Sequence, residues 1–188
     1  MTTEPRTRPL ITLDFDGVIC SPPFGLNLGI TADFLDPLAP PPTASVPPRG
    51  IGEFADYLRF NFRRPMHDAA ESLRALAELR EIVVLTGRRT SPHDWLARYD
   101  LDQYIEEIIV NDTDLKSPHF KLRMVEALRP SEHVDDDGRT AQLLAQANTA
   151  GTRVFLCDWP RNRAPGYAPG VTRTSGLSGV VEALRGES

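Results

Sequence analysis

Asp14 and Asp16 stand one residue apart at the end of the apolar run LITL (10–13), with Gly17 next. An ionised carboxylate in apolar surroundings costs on the order of several kcal/mol unless it is paired or bound to a metal. Two of them at the end of a buried strand therefore point to a cation or to chemistry. A second acidic set, Asp135, Asp136 and Asp137, follows His133 and Val134, and Asp158 follows RVFLC (153–157). Carboxylates gathered without compensation repel and raise one another's pKa, so such a cluster implies a bound cation. Oxygen donors alone favour Mg²⁺, which takes carboxylates, waters and phosphate. LTGRR (85–89) fits a phosphate: Thr86 offers a hydroxyl, Gly87 a closely approaching backbone N–H and Arg88 a bidentate guanidinium. Lys121, in the first turn of a helix, adds a cation to neutralise a nucleophilic carboxylate and a transferring phosphoryl group. Lys116, also beside a proline-containing turn, is the alternative. Lys121 is preferred because it begins the helix that leads to the acidic strand.

These residues act together only if the fold brings them to one edge. MHDAAESLRALAELR (66–80) puts Ala69, Leu73, Leu76 and Ala77 on one helical face and runs into the strand IVVL (82–85). Ser91 as N-cap with Pro92 in the first turn opens the helix HDWLARY (93–99), and EEIIVND (106–112) supplies a strand. Ser117 and Pro118 repeat that start signal for HFKLRMVEAL (119–128), and a short strand around His133 and Val134 leads into DDDG. TAQLLAQANTA (140–150) reads as a helix stopped by Gly151, and RVFLC as a strand. Strands alternating with helices predict a three-layer α/β fold around a parallel sheet. Ligands of such sheets sit beyond the carboxyl ends of the strands. Asp14, Asp16, Thr86, Asp135, Asp136 and Asp158 all fall at those ends.

Residues 20–63 break the pattern. SPP (21–23) and DPLAPPPTASVPPRG (36–50) bar regular helix and central strand, whereas IGEFADYLRFNF (51–62) spaces Phe54, Leu58 and Phe62 by four, as a helix does. The expected organisation is a core of residues 1–19 and 64–188 with a small proline-rich and helical insertion at 20–63. A chain of 188 residues, 40% hydrophobic and 25% charged, suits one globular unit carrying such an insertion. A net charge of -5 argues against a nucleic-acid polymer or an anionic membrane as partner and leaves a small anionic ligand open. No apolar run approaches the ~20 residues that span a bilayer, and MTTEPRTRPLITL meets Asp14 too soon for a secretory core. A cytoplasmic protein is expected. Cys20 and Cys157 form no CxxC or zinc spacing and are expected to be reduced and structural.

DFDGV (14–18), the strand ending at Thr86 in VVLTGR, Lys121 in HFK and HVDDD (133–137), in that order, resemble the four motifs of the haloacid dehalogenase (HAD) superfamily of phosphohydrolases. The resemblance spans residues 10 to about 158. It implies a Rossmann-like core with a cap inserted after the first strand. It also implies Asp14 as the nucleophile that forms an aspartyl-phosphate, and Asp16 as the general acid that later activates water. Thr86 and Lys121 would bind the phosphoryl group. Mg²⁺ would be held by Asp14, the backbone carbonyl of Asp16 and a carboxylate of 135–137, with Asp135 and Asp136 chosen over Asp137. The paired DD, the short insertion and DWPRN (158–162) resemble the 5′(3′)-deoxyribonucleotidase-like branch, which makes a nucleoside monophosphate the leading substrate. The expected activity is Mg²⁺-dependent hydrolysis of a small phosphorylated metabolite.

The rival is a non-catalytic phosphate-binding module whose proline-rich arm, 36–50, docks a protein partner in extended polyproline form. Retention of both Asp14 and Asp16 argues against it. A dehalogenase is disfavoured because a halide leaves without a proton. His67, His93, His119 and His133 make no metal spacing and are expected at the surface or at helix starts, with His119 the one near the site. Trp95 and Trp159 are expected in core or rim packing, although Trp159 lies where a base or sugar could stack. Arg59, Arg63 and Arg64 read as the solvated side of the insertion helix or, alternatively, as cations at the mouth.

Overall fold

The apolar runs become strands of a single parallel sheet. The structure is a computed structural model that describes residues 7–22, 34–36, 39–41, 63–147, 151–163 and 166–186. Strands β1 (Leu10–Leu13), β2 (Glu81–Thr86), β3 (Glu107–Val110), β4 (Glu132–Asp135), β5 (Arg153–Cys157) and β6 (Val171–Thr174) lie in the order β3-β2-β1-β4-β5-β6. Every neighbouring pair is parallel. The described helices are α1 (Ala69–Leu79), α2 (His93–Arg98), α3 (Ser117–Leu128), α4 (Gly138–Ala147) and α5 (Leu177–Arg185).

Two-residue periodicity divides the strands between two cores. Ile11, Leu13, Ile82, Val84, Phe155 and Cys157 pack with α1, α2 and α5, including Leu73, Leu76, Trp95, Leu177 and Val180. Leu85, Val154 and Leu156 face the other way, onto Phe120 and Val125 of α3 and Ala141 and Leu144 of α4. This is the three-layer α/β architecture expected, with helices on both faces of the sheet. No helix among the described residues is long and apolar enough to cross a membrane.

The sheet extends one strand beyond the sequence reading. β6 was missed because VTRT is an edge strand with exposed Thr172 and Arg173 and no apolar run; α5 follows it, with Leu177, Val180, Val181 and Leu184 buried at helical spacing. Ser117 is the first residue of α3 and not its N-cap, which is Lys116. The N-cap of α2 is likewise Pro92 and not Ser91, although the His93 N–H donates to Ser91 Oγ at 3.3 Å. Cys20 and Cys157 are both buried and free. Burial pushes the Cys20 thiol up to about 12 and that of Cys157 well above its ordinary value, so both remain protonated.

The helix expected over 51–62 and most of the proline-rich arm lie outside the described residues. Of residues 20–63, those described are 20–22, 34–36, 39–41 and 63, and the two ends of this stretch meet. Ser21 N–H donates to the carbonyl of Arg64 at 2.9 Å, and Met66 N–H to that of Ile19 at 2.8 Å. Residues 19–21 and 64–66 thus close on each other beside the end of β1.

Candidate active site

The register of the sheet sets the site. β1 pairs Leu13 with Val134 of β4, and the Asp14 N–H donates to the Val134 carbonyl at 2.8 Å. Asp14 and Asp135 therefore leave adjacent central strands side by side, and Asp136 joins them. Carboxylate oxygens of Asp14, Asp135 and Asp136 lie within 4.8 Å of one another, all three residues buried.

Lys121 reaches this trio from α3. Its Nζ lies 2.9 Å from Asp14 Oδ2 and 2.8 Å from Asp135 Oδ2, with its side chain 2% exposed. Burial opposes the charge on Lys121, but the two carboxylates outweigh it and hold the ammonium well above its ordinary pKa. Burial also raises Asp14 well above the carboxylate range, against the pull of Lys121 and with help from Asp135, Asp136 and Asp16. Asp135 goes the other way: burial opposes its ionisation, yet Lys121 and His133 hold it well below the usual range. Lys116, the alternative cation, is exposed.

His133 is a residue the sequence reading misplaced. It is fully buried in β4, with Nε2 3.1 Å from Asp135 Oδ2 and Nδ1 2.8 Å from Thr12 Oγ1. Burial lowers its pKa, and its two ring nitrogens sit between the Asp135 carboxylate and the Thr12 hydroxyl. His119 is also buried. Its Nδ1 has no hydrogen-bond partner among the described residues, and burial and Lys116 both lower its pKa.

The Asp135–Asp137 run divides its work. Asp135 Oδ1 accepts the N–H of Asp137 at 2.9 Å, and Asp137 turns away to accept the N–H and Nε of Arg139 at the start of α4. Asp136 accepts from Arg161 Nη2 at 2.8 Å, and its carbonyl accepts from Asn162 Nδ2 at 3.0 Å. Asn162 and Trp159 belong to the DWPRN turn, where Trp159 Nε1 donates to the Gly17 carbonyl at 3.0 Å. Trp159 is thus half-buried against the DFDG loop, while Asp158 turns outward to Arg173, with Nε at 2.7 Å.

Gly17 is required by that contact. Its φ is +72°, and a Cβ there would fall 1.9 Å from Asp136 Oδ2. Gly17→Ala is expected to destabilise the protein by about 2–4 kcal/mol, adding left-handed backbone strain to overpacking. Chemical denaturation measures this; a change within ~0.5 kcal/mol, the size of an ordinary surface substitution, would contradict the close approach.

Asp16 does not join the trio. Its Oδ2 accepts Arg88 Nε at 2.5 Å, and its Oδ1 accepts Arg88 Nη2 at 2.8 Å and also Arg63 Nη1. Burial works against ionisation, but the hydrogen bond and charge of Arg88 and the charge of Arg63 prevail and lower the pKa. The Arg88 fork, read from the sequence as a phosphate donor, donates to Asp16. Arg63 is 5% exposed, which removes the solvated one of the two positions expected for it. Arg64 is exposed, and Arg59 lies outside the described residues. Thr86, at the end of β2, is 1% exposed and accepts the Arg88 N–H at 3.3 Å, which leaves its hydroxyl proton to donate. Gly87 packs against the start of α3 so closely that a Cβ would meet Ser117 Oγ at 2.0 Å.

The donor set suits a hard divalent cation. Among the described residues, three carboxylates face Lys121 and Arg161, an oxygen-rich cluster in negative excess, and both Asp135 oxygens already accept protein donors. Asp14 and Asp136 are, of the three, the carboxylates not accepting donors from the described residues on both oxygens.

No protein-family model matches the chain, and no curated protein matches its sequence. Solved structures do resemble it. A haloacid dehalogenase-like hydrolase from Streptococcus pneumoniae superposes with a TM-score of 0.61 at 12% identity, covering 94% of this chain and 98% of the other. A 2-haloacid dehalogenase from Pseudomonas syringae gives 0.55 at 14%, covering 97% and 100%. A protein assigned as a phosphoglycolate phosphatase from Lactobacillus plantarum gives 0.58 at 16%, covering 94% and 99%. At these identities the likeness concerns architecture, and the chain has the HAD-like fold: a six-stranded parallel Rossmann-like sheet between helical layers.

Proposed function

We propose that the protein is a Mg²⁺-dependent phosphomonoester hydrolase working through an aspartyl-phosphate on Asp14. The observation that carries this is the buried ammonium of Lys121 between Asp14 and Asp135, beside Asp136, at the carboxyl ends of β1 and β4. Asp14 attacks phosphorus and the bond to the leaving oxygen breaks; Asp16, whose carboxylate Arg88 and Arg63 favour in its ionised form, has to take up a proton before it delivers one to that oxygen. Asp16 then takes a proton from the water that attacks the aspartyl-phosphate, which releases phosphate and restores Asp14. Lys121 offsets the charge that gathers on the phosphoryl oxygens, and Thr86 donates its hydroxyl to one of them. Mg²⁺, held by Asp14, the Asp16 carbonyl and Asp136, with Asp135 behind them, would supply charge neutralisation at the same oxygens.

The substrate in this reading is a small phosphorylated metabolite, with nucleoside monophosphates the first class to test. Trp159 and Asn162 of the DWPRN turn brace the loop and strand ends that carry the chemistry. A dehalogenase is the second reading, because one similar fold is that of a 2-haloacid dehalogenase. Asp16 favours the phosphatase, since an alkoxide needs a proton and a halide does not. Phosphate release from an aryl phosphate with and without Mg²⁺, beside halide release from 2-chloropropionate, tests the choice. Halide without phosphate would overturn the proposal.

A pH-dependent metal effect follows. Asp14's raised pKa means that the native state keeps a proton the unfolded chain has released, so this group's contribution to stability falls as pH rises from the ordinary carboxylate range through the raised value. A cation bound to Asp14 competes with that proton. The rise in melting temperature on adding Mg²⁺ is expected to be larger at neutral pH than near pH 5. Calorimetry at both pH values checks this, and an equal gain at both would contradict it.

A further inference from the structure

We infer that Arg161 is a positioning residue that sets metal selectivity, holding the Asp136 carboxylate so that it gives a cation one oxygen and thereby favouring Mg²⁺ over Ca²⁺. The inference rests on the reading above in which Asp136 binds Mg²⁺. Its geometry comes from the turn after β5, a segment that carries no reacting group.

Asp136 is held at both side chain and backbone. Arg161 Nη2 donates to Asp136 Oδ2 at 2.8 Å and to the carbonyl of the same residue at 3.2 Å, so one guanidinium nitrogen ties the carboxylate to its own backbone and fixes its rotamer. Gly17 closes on the same oxygen, since a Cβ there would fall 1.9 Å from Oδ2. The Asp136 carbonyl also accepts Asn162 Nδ2 at 3.0 Å, and that nitrogen donates to the Cys157 carbonyl at 2.8 Å, which pins the residue to the end of β5. The side chains of Arg161 and Asp136 are 15% and 6% exposed, so water does little to loosen the pair.

The turn that carries Arg161 is closed on itself. The Asn162 N–H donates to the Trp159 carbonyl at 3.0 Å, the Trp159 N–H returns to Asn162 Oδ1 at 3.0 Å, and Tyr167 Oη–H donates to the Asn162 carbonyl at 2.9 Å. Through Trp159 Nε1 and the Gly17 carbonyl, the same turn also holds the loop that follows Asp14. Mg²⁺ requires near-octahedral oxygens at about 2.0–2.1 Å, whereas Ca²⁺, at about 2.3–2.6 Å, takes roughly six to eight and accepts both oxygens of one carboxylate. A carboxylate held through Oδ2 cannot swing to give a cation both. The charge of Arg161 weakens the binding of every divalent ion alike; its hydrogen bonds decide which ion the site suits. Without them Asp136 can rotate, and the larger, more heavily ligated ion gains.

Charge and geometry separate in the ratio of two affinities. Kd for Mg²⁺ and for Ca²⁺ is read on the full chain, without substrate, from the rise in melting temperature with each chloride salt at neutral pH and constant ionic strength. Asp136→Asn serves as the blank for ions bound elsewhere. Wild type is expected to bind Mg²⁺ more tightly than Ca²⁺, and Arg161→Met to lower the ratio of the Ca²⁺ Kd to the Mg²⁺ Kd at least about tenfold, the lower end of the effect of removing a group that orients a metal ligand. Losing a charge or loosening the turn moves both ions together and leaves the ratio alone, so a merely structural arginine does not give this result. Arg161→Gln, which keeps one donor, is expected to shift the ratio in the same direction by a smaller factor, and it carries the test if the methionine variant does not fold. An unchanged or raised ratio, or a wild type that binds Ca²⁺ as tightly as Mg²⁺, overturns the role given to Arg161 and leaves the Mg²⁺ reading standing. A wild type whose gain with neither ion exceeds that of Asp136→Asn overturns the Mg²⁺ reading and the inference with it.

Discussion

Asp14→Asn is expected to abolish phosphate release while leaving the protein at least as stable as the wild type. The loss of turnover should reach at least about 10⁴-fold, the scale seen when a catalytic nucleophile is removed. The stability half of the expectation comes from electrostatics. Burial and three neighbouring carboxylates raise the pKa of Asp14 even with Lys121 at 2.9 Å, so the fold disfavours its ionised form relative to the unfolded chain. Asparagine keeps the shape, removes the charge and leaves Asp135 to hold Lys121. A variant that is inactive and also strongly destabilised would show that Asp14 serves the fold. One that is inactive and intact shows that the carboxylate is retained for chemistry at some cost in stability. Chemical denaturation beside a steady-state assay separates the two.

Removing Lys121 should produce the largest loss of stability. Lys121→Met strips the shared cation from two carboxylates, Asp14 and Asp135, the second of which is 0% exposed. Breaking a buried ion pair from one side costs about 3–5 kcal/mol, because the partner charge is left uncompensated. For a chain of this size that corresponds to a fall in melting temperature of roughly 10–15 °C. The deficit should shrink with acid. Asp135, held well below the usual range by Lys121 first and His133 next, would regain a higher pKa in the variant and escape the penalty by protonation. Denaturant melts at neutral pH and near pH 5 read this directly. A variant as stable as wild type at neutral pH would contradict the central place given to the Lys121 ammonium.

The sequence carried the strands of the core because burial on both faces makes them continuous apolar runs, as in IVVL and RVFLC. It carried the carboxylates because two aspartates after LITL have no structural reason to be there. VTRT was illegible: an edge strand buries too little to leave a pattern. His133 was misread because a histidine buried by two polar neighbours, Thr12 and Asp135, looks in sequence like any polar residue. Its partners come from strands brought together only by the β1–β4 register. The Arg63 and Arg88 grip on Asp16 was hidden for a similar reason. Both arginines sit in segments rich in arginine, and only tertiary structure separates buried Arg63 from exposed Arg64. Gly17 was legible as a turn residue; that its bareness admits Asp136 was not, since the two lie on different strands' ends.

The most direct measurement is of the covalent intermediate. Wild-type protein turning over a phosphomonoester with Mg²⁺ is quenched in acid, which preserves acyl phosphates, then digested and weighed by mass spectrometry. A phosphoryl group on the peptide that contains Asp14, lost on treatment with hydroxylamine and absent from Asp14→Asn, is the predicted result. Full turnover with a phosphoryl group on another residue, or continued turnover in Asp14→Asn, would contradict the account.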